Sequence, residues 1–598
     1  MKKLGYLHYL SLVGAIALGA ILRFWHLDLK PLWMDEVITA IFSLGKSYHD
    51  LPMNVVLPLG ELQNIFTFQP GVSCAAIAQT VAKESTHPPL FFCGMHTWLG
   101  LLSQEGHDWV TKLRSLSALF GVGAIGAIYI VNRVAFSQTS GLIAAVVMAV
   151  SPFAVYLSQE ARHYTLPMLL ITLGLLALMQ IQQDIFQRQK VRLWVWLAWA
   201  IINSVSLYVH YFCILAFFAE IATLILLMYY PQTKKISLPQ RQIWLGLIIS
   251  ISVVVISFFP WLIVTQNHFH RSETDWLNSP AHIAPFYQTL INWVLMLISL
   301  PVENQPLSIQ IISVFFMLMF FIWMGWHIFT GLKQLLQTPT TYLPTLTLLS
   351  FSGFVLLEFF AIIYLLKKDI TVVPRYNFVY YPSFCALIAA SLNQIIKFKL
   401  KNQRIILIFI TVSIISCIFV VSNLAFDKPF KPEKVAQNMN LEPSVPLLLV
   451  VAYRDYQDVA LGLSFGLALE KVRNEFDYRL QNQSRLQPII HDIKSPFKPI
   501  TISQKTNLLA TDSSLLSGKF DNFAFFKQFP DLSSVWEKLS QLPPPAISKL
   551  NLWVVAPGRR QRDYPPQVTI YGQMNCRIDR EHHHRIGVPY QLYRCGDL

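Results

Sequence analysis

The stretch Met1–Glu36, MKKLGYLHYLSLVGAIALGAILRFWHLDLKPLWMDE, decides the architecture. Two lysines precede an apolar run from Tyr6 to Trp25, and about 20 apolar residues are enough to cross a bilayer core. Such an opening resembles a secretory signal, but many further apolar runs follow it. It reads as an uncleaved first span with its N-terminus in the cytoplasm. Just beyond the span, Leu32-Trp33-Met34-Asp35-Glu36 sets two adjacent carboxylates beside an interfacial tryptophan.

Composition carries that reading through the chain. Hydrophobic residues make up 54% and charged residues 13% of the 598 positions, against about a quarter charged in ordinary globular proteins. The mean hydropathy is +0.45. A soluble chain of this length could not cover its surface with so few charges, so an integral membrane protein is expected, in contact with lipid. The net charge of +14 forms no basic helix or stripe, which argues against nucleic acid. The seven cysteines show no zinc or redox spacing.

Further runs of span length lie near 113–132, 140–157, 164–182, 193–209, 212–230, 242–262, 308–330, 343–366, 377–396 and 404–425, giving about eleven spans with the first. The shorter run 88–103 opens with Pro88-Pro89. If it does not cross, Lys2/Lys3, Arg133, Arg188/Lys190/Arg192, Lys234/Lys235/Arg241, Lys333 and Lys397/Lys399/Lys401/Arg404 all fall on one side. That is the positive-inside pattern, so 88–103 is expected to be an interfacial or re-entrant helix. The outer face then receives a long first loop (26–112), turns at 158–163 and 209–211, loops at 263–307 and 367–376, and everything after Asp427. Lys367 and Lys368 breach the charge rule there.

Two domains follow: a transmembrane domain over 1–426 and a polar, Pro-punctuated extracytoplasmic tail over 427–598. Strand-like runs at Val445–Ala452, Leu550–Ala556 and Gln567–Tyr571, with a helix-like stretch Asp455–Arg473, predict a small α/β domain. Cys576 and Cys595 suit a disulfide in an oxidising compartment.

Gly121-x-Gly123-x-x-Gly126 matches a dinucleotide fingerprint as a bare pattern, but it sits inside an apolar span with no preceding strand. Close helix packing explains it better. Five other motifs fall on the outer side: Asp35-Glu36; Thr86-His87-Pro88-Pro89-Leu90; Ser158-Gln159-Glu160-Ala161-Arg162-His163-Tyr164; Tyr208-Val209-His210-Tyr211; and Pro374-Arg375-Tyr376. Singly, a loop histidine or an interfacial arginine is more often structural. Their gathering on one face, under a topology fixed by the basic loops, argues for a site.

Together, Arg23 ending the first span, Trp-x-Asp-Glu, His-Pro-Pro-Leu, Ser-Gln-Glu-Ala-Arg-x-Tyr and a late Arg-Tyr resemble the GT-C glycosyltransferases, in the branch of protein O-mannosyltransferases and aminoarabinose transferases. The resemblance covers roughly residues 1–400 and does not reach the tail. It implies a polytopic α-helical fold of GT-C type and a plasma-membrane enzyme. Its activity would be to move a sugar from a polyprenyl-phosphate donor to an acceptor at the extracytoplasmic face, with inversion. The acceptor, whether protein, lipid or glycan, is not specified.

The resemblance makes Asp35 the general base and lets Glu36 raise its neighbour's pKa or bind substrate. Arg162 and Arg375 are the expected phosphate partners, since guanidinium forks match phosphate oxygens. His87 would add a hydrogen bond or positive charge there, with Lys367 and Lys368 assisting. Arg23, Glu160, Tyr164, His210, Tyr211 and Tyr376 complete the expected donor-binding set. A divalent cation could use the acidic pair, although no Asp-x-Asp motif argues for one. The competing reading is a flippase for a lipid-linked sugar. Its ionisable groups would lie near the midplane, where only Glu220 and Glu358 are available.

Overall fold

A computed structural model describes residues 2–102, 108–229, 239–269, 277–398, 403–492 and 521–596. Lys234, Lys235, Lys399 and Lys401 of the predicted basic loops lie outside the described residues, as do 270–276 of the loop at 263–307. The chain divides into two units: Met1–Lys30 with Pro70–Asp427, and Pro31–Gln69 with Lys428–Leu598. Residues 31–69 of the first outer loop therefore belong to the same unit as the tail.

The first unit is helical. Among the described residues seven helices are long and apolar enough to cross a membrane: Tyr6–Phe24, Trp109–Ala135, Thr165–Arg188, Gln240–Gln266, Leu307–Gln337, Pro339–Leu365 and Gln403–Val421. The protein is a multi-pass membrane protein. Shorter apolar helices, Leu193–Leu207, Cys213–Tyr229 and Tyr381–Ile396, fall on three other predicted spans. The run at 140–157 is not one straight helix. Gln138–Ala149 and Pro152–Ser158 meet at 58°, because Pro152 starts a new helix at its first position and Ser151 caps it by accepting from the Ala154 N–H. Leu90–Leu101 has 12 residues, about 18 Å at 1.5 Å per residue, too short to cross a core of about 30 Å.

Buried polar side chains clamp this unit. Arg23 donates to the carbonyls of Gly19, Met148 and Ala149 at 3.0, 2.8 and 3.0 Å, tying the first helix to the bend after Ala149. Arg114 donates to the carbonyls of Leu27 and Lys30. A Cβ on Gly121 would meet Ser158 Oγ at 2.1 Å, and one on Gly123 would meet Leu169, whereas Gly126 faces open space. The first two glycines serve helix packing. Glu220 accepts from Trp199 Nε1 at 2.5 Å and Asn203 Nδ2 at 3.0 Å.

The second unit is built on a seven-stranded sheet: β1 (Val56–Pro58), β2 (Leu447–Tyr453), β3 (Asn522–Lys527), β4 (Lys549–Val555), β5 (Gln567–Ile570), β6 (Met574–Ile586) and β7 (Val588–Gly596), in the order β1-β3-β2-β4-β7-β6-β5. β2 pairs in parallel with β3 and β4. Leu447–Ala452 is fully buried, as a central parallel strand covered on both faces must be. Helices Pro432–Met439, Tyr456–Asp492 and Ser533–Ser540 complete the α/β arrangement. Cys576 and Cys595 face each other across β6 and β7 and are disulfide-bonded.

Helix Met34–Ser43 buries Val37, Ile41 and Phe42, each worth roughly 1.5–3 kcal/mol. Ser464 Oγ, on the long helix Tyr456–Asp492, donates to the Leu32 carbonyl at 2.7 Å. Gln63 donates to Glu470 at 3.0 Å. These contacts, with the pairing of β1 to β3, make residues 31–69 part of the tail's fold.

Candidate active site

In the first unit three connections between helices supply most of the expected site. The segment 85–89 joins helix Cys74–Glu84 to helix Leu90–Leu101, and a Cys74–Cys93 disulfide closes the interval around it. Leu90 N donates to the Tyr208 carbonyl at 3.1 Å, which ties this segment to the turn holding His210. The turn Gln159–Tyr164 is buried throughout. Ser117 Oγ donates to the Arg162 carbonyl at 3.0 Å, and Thr165 Oγ1 donates to the Ser117 carbonyl at 2.9 Å, so the turn is stapled to helix Trp109–Ala135. Pro374–Val379 forms a short 3-10 helix that carries Arg375 and Tyr376.

These connections, with the turn holding His210, bring six expected residues together. Arg375 Nε donates to the Tyr164 hydroxyl at 2.9 Å. The guanidinium carbons of Arg162 and Arg375 lie 5.7 and 5.8 Å from the Tyr164 ring centre. Arg162 Nη2 is 3.2 Å from His87 Nε2, and His87 Nδ1 is 2.9 Å from Ser85 Oγ. His210 lies 5.7 Å from Tyr164 and 6.5 Å from Tyr376, ring to ring. Its Nδ1 accepts from the Phe212 N–H at 3.0 Å, which leaves the ring proton on Nε2.

His163 links the group. Its ring stands 5.0 Å from His87 and 4.7 Å from His210, and among the described residues neither buried ring nitrogen has a hydrogen-bond partner. Burial, and then the charge of Arg162, hold His87 and His163 well below the ordinary histidine range and push His210 down to about 3. All three are neutral at pH 7. The cluster therefore joins two permanent cations to three neutral imidazoles.

Other expected residues are placed differently. Arg23 donates from both Nη atoms to main-chain carbonyls, as a structural clamp. Tyr211 belongs to a relay in which Trp261 Nε1 donates to its hydroxyl at 3.0 Å. That hydroxyl is 3.0 Å from His268 Nδ1, and His268 Nε2 is 3.1 Å from the Ala82 carbonyl. Glu160 is buried, and its carbonyl accepts from the Arg162 N–H at 2.7 Å. Lys367 is exposed. Asp35 and Glu36 belong to the second unit, in the first turn of helix Met34–Ser43, where the helix dipole favours carboxylates. Asp35 is half-buried and Glu36 fully buried. Lys428 Nζ stands 4.9 Å from the ring centre of neighbouring Trp33.

The sequence reading did not single out Ser85, His163 or His268. His163 sits inside a quoted motif, but spacing does not reveal a stack formed by three separate connections. Among the described residues no group of three or more histidine, cysteine or carboxylate side chains could hold a metal ion.

No family model matches the chain, and neither does the sequence of any curated protein. Solved structures do. The chain is similar to ArnT from Cupriavidus metallidurans in the apo state, with a TM-score of 0.50 and 11% identity over 99% of this chain and 98% of that one. The same protein bound to undecaprenyl phosphate gives 0.48 and 11% over 98% of both chains. The Archaeoglobus fulgidus oligosaccharyltransferase in its apo form gives 0.45 and 10% over 77% of this chain and 64% of that one. The likeness to apo ArnT shows that the chain shares its fold, a polytopic helical region followed by a C-terminal domain.

Proposed function

We propose that the protein is a membrane glycosyltransferase, moving a sugar from a polyprenyl-phosphate donor to an acceptor hydroxyl at the extracytoplasmic face with inversion at the anomeric carbon. The observation that carries this reading is the pair of guanidinium groups on the Tyr164 ring, among histidines that burial keeps neutral. Guanidinium forks suit phosphate oxygens. A solved structure of the ArnT chain is bound to undecaprenyl phosphate; the shared fold makes the same class of carrier the natural donor here.

In this mechanism the acceptor oxygen attacks the anomeric carbon while its proton passes to the Asp35 carboxylate. The bond from that carbon to the phosphate oxygen breaks, and its electron pair leaves with the carrier phosphate. Arg162 and Arg375 stabilise the charge that grows on the phosphate. Tyr164 orients both arginines, and the Nε2–H of His210 is suited to the phosphate or the sugar. A divalent cation, where one takes part, could use the acidic pair of Asp35 and Glu36.

The proposed setting is a plasma membrane with the N-terminus cytoplasmic and residues after Asp427 outside, as the basic loops imply. A flippase would need ionisable groups along a path through the membrane, and Glu220 Oε2 accepts from Trp199 and Asn203. The transferase reading is tested by Asp35→Asn, assayed for transfer from a labelled polyprenyl-phosphate sugar. The variant keeps size and hydrogen bonding but loses the base, and a drop of about 10²–10⁴ in rate is expected. Near wild-type turnover removes Asp35 from the mechanism.

A further inference from the structure

His87 lies between two polar partners whose chemistry differs. Arginine keeps its proton and only donates, so the 3.2 Å contact from Arg162 Nη2 makes His87 Nε2 an acceptor. A neutral imidazole with a bare Nε2 carries its proton on Nδ1, and there Ser85 Oγ, 2.9 Å away, takes it. The ring is fixed from the sides by Phe92 at 6.3 Å and His163 at 5.0 Å, both edge-on, and from the chain by Pro88 and Pro89, which restrict the backbone.

We propose that His87 is a positioning residue for Arg162: Ser85 holds it as the Nδ1–H tautomer, and its Nε2 lone pair takes one Arg162 N–H and fixes the plane of that guanidinium. The proposal rests on the reading of Arg162 as a ligand of the carrier phosphate and reverses the role that sequence assigns to His87. A phosphate ligand must donate. For His87 to donate through Nε2 it would have to give up Arg162 or become an imidazolium. The charges that bear on it are those of Arg162 and Arg375, with His210 and His268 further contributors and the His163 ring against it, and it is itself half-buried. An added proton would meet the positive charges of Arg162 and Arg375. A bound phosphate would then see the remaining N–H groups of Arg162 in one orientation, which is where a fork differs from a point charge.

The Cys74–Cys93 disulfide fits this role. It joins the two helices flanking 85–89 and so confines the segment carrying both Ser85 and His87.

Three variants separate the alternatives. His87→Gln keeps a neutral acceptor near the position of Nε2, and its kcat/KM for the lipid donor should stay within a few-fold of wild type. His87→Ala removes the acceptor and should lose about 10²-fold, the scale of a misplaced catalytic group. His87→Lys supplies a donor and a charge facing Arg162, and should fall below the Ala variant. Equal losses in the Gln and Ala variants, or a Lys variant as active as wild type, overturn the proposal. A second measurement needs no turnover. Ring-nitrogen resonances of isotope-labelled histidine, with His87 identified by difference against the Gln variant, should show Nδ1 protonated and Nε2 bare at pH 7. A protonated Nε2 in wild type overturns the assignment. A wild-type protein that never releases the carrier would sink the transferase reading and leave the tautomer result to decide His87 by itself.

Discussion

Arg375 and Tyr164 are joined twice: Nε donates to the phenolic oxygen at 2.9 Å, and the guanidinium carbon lies 5.8 Å from the centre of the same ring. Because Arg162 stands 5.7 Å from that ring, one tyrosine sets the position of both cations. Tyr164→Phe keeps the ring and deletes the acceptor. Depriving a half-buried charged donor of this acceptor costs about 1–3 kcal/mol, so kcat/KM for the lipid donor should fall about 10- to 100-fold. Thermal stability should change less, since packing is retained. Unchanged kinetics would mean that Arg375 does not need this anchor.

Arg162→Lys and Arg375→Lys separate a phosphate fork from an interfacial anchor. A lysine retains charge but not the planar, bidentate donor set. Both kcat and kcat/KM should drop, because the departing phosphate carries more charge than the bound donor. An arginine that only anchored a helix would accept lysine with little loss, since both side chains snorkel. Full activity in both variants would move the leaving-group site away from these residues.

Arg23 should behave in the opposite way. Its hydrogen bonds to the carbonyls of Gly19, Met148 and Ala149 each contribute about 1.5–3 kcal/mol when the donor is charged. Arg23→Gln should lower the unfolding temperature in detergent, and the fraction that remains folded should turn over normally. A stable variant that is catalytically dead would return Arg23 to the site.

Acid should destabilise the histidine cluster. His87, His163 and His210 titrate below the ordinary range in the fold, His210 near 3, while in the unfolded chain they protonate near 6.5. The unfolded state therefore binds more protons below that value. The contribution is full above pH about 6.5 and shrinks as pH falls toward the folded-state values. Unfolding temperatures measured from pH 7.5 to 5 should decline, and His210→Gln should flatten the slope. A flat wild-type profile would mean the cluster is hydrated and titrates normally.

Hydropathy made the helical unit legible because a long apolar run such as Trp109–Ala135 admits little else in a bilayer. The bend after Ala149 escaped it, since Ser151-Pro152 interrupts the hydrogen-bond ladder without lowering hydropathy. In the tail, β2 and β4 were readable as continuous apolar strings. β6, with Arg580, Glu581, His582, His583 and His584, is too polar to stand out, and only its pairing with β7 makes it a strand. That Asp35 and Glu36 fold with the tail depends on contacts such as Ser464 with Leu32, 432 positions apart, which no local pattern encodes. Order and spacing marked the arginines and histidines of the candidate cluster. They were silent on tautomers, on the His163 stack and on the Cys74–Cys93 closure, all of which arise where separate connections meet.

The transferase claim is tested most directly by one quantity: free polyprenyl phosphate released by the purified, reconstituted protein from a labelled polyprenyl-phosphate sugar in the presence of membrane acceptors. The account predicts release in step with sugar transfer, lost in Asp35→Asn and strongly reduced in Arg162→Lys and Arg375→Lys. Movement of intact donor between leaflets with no free carrier formed would contradict it and make the protein a flippase.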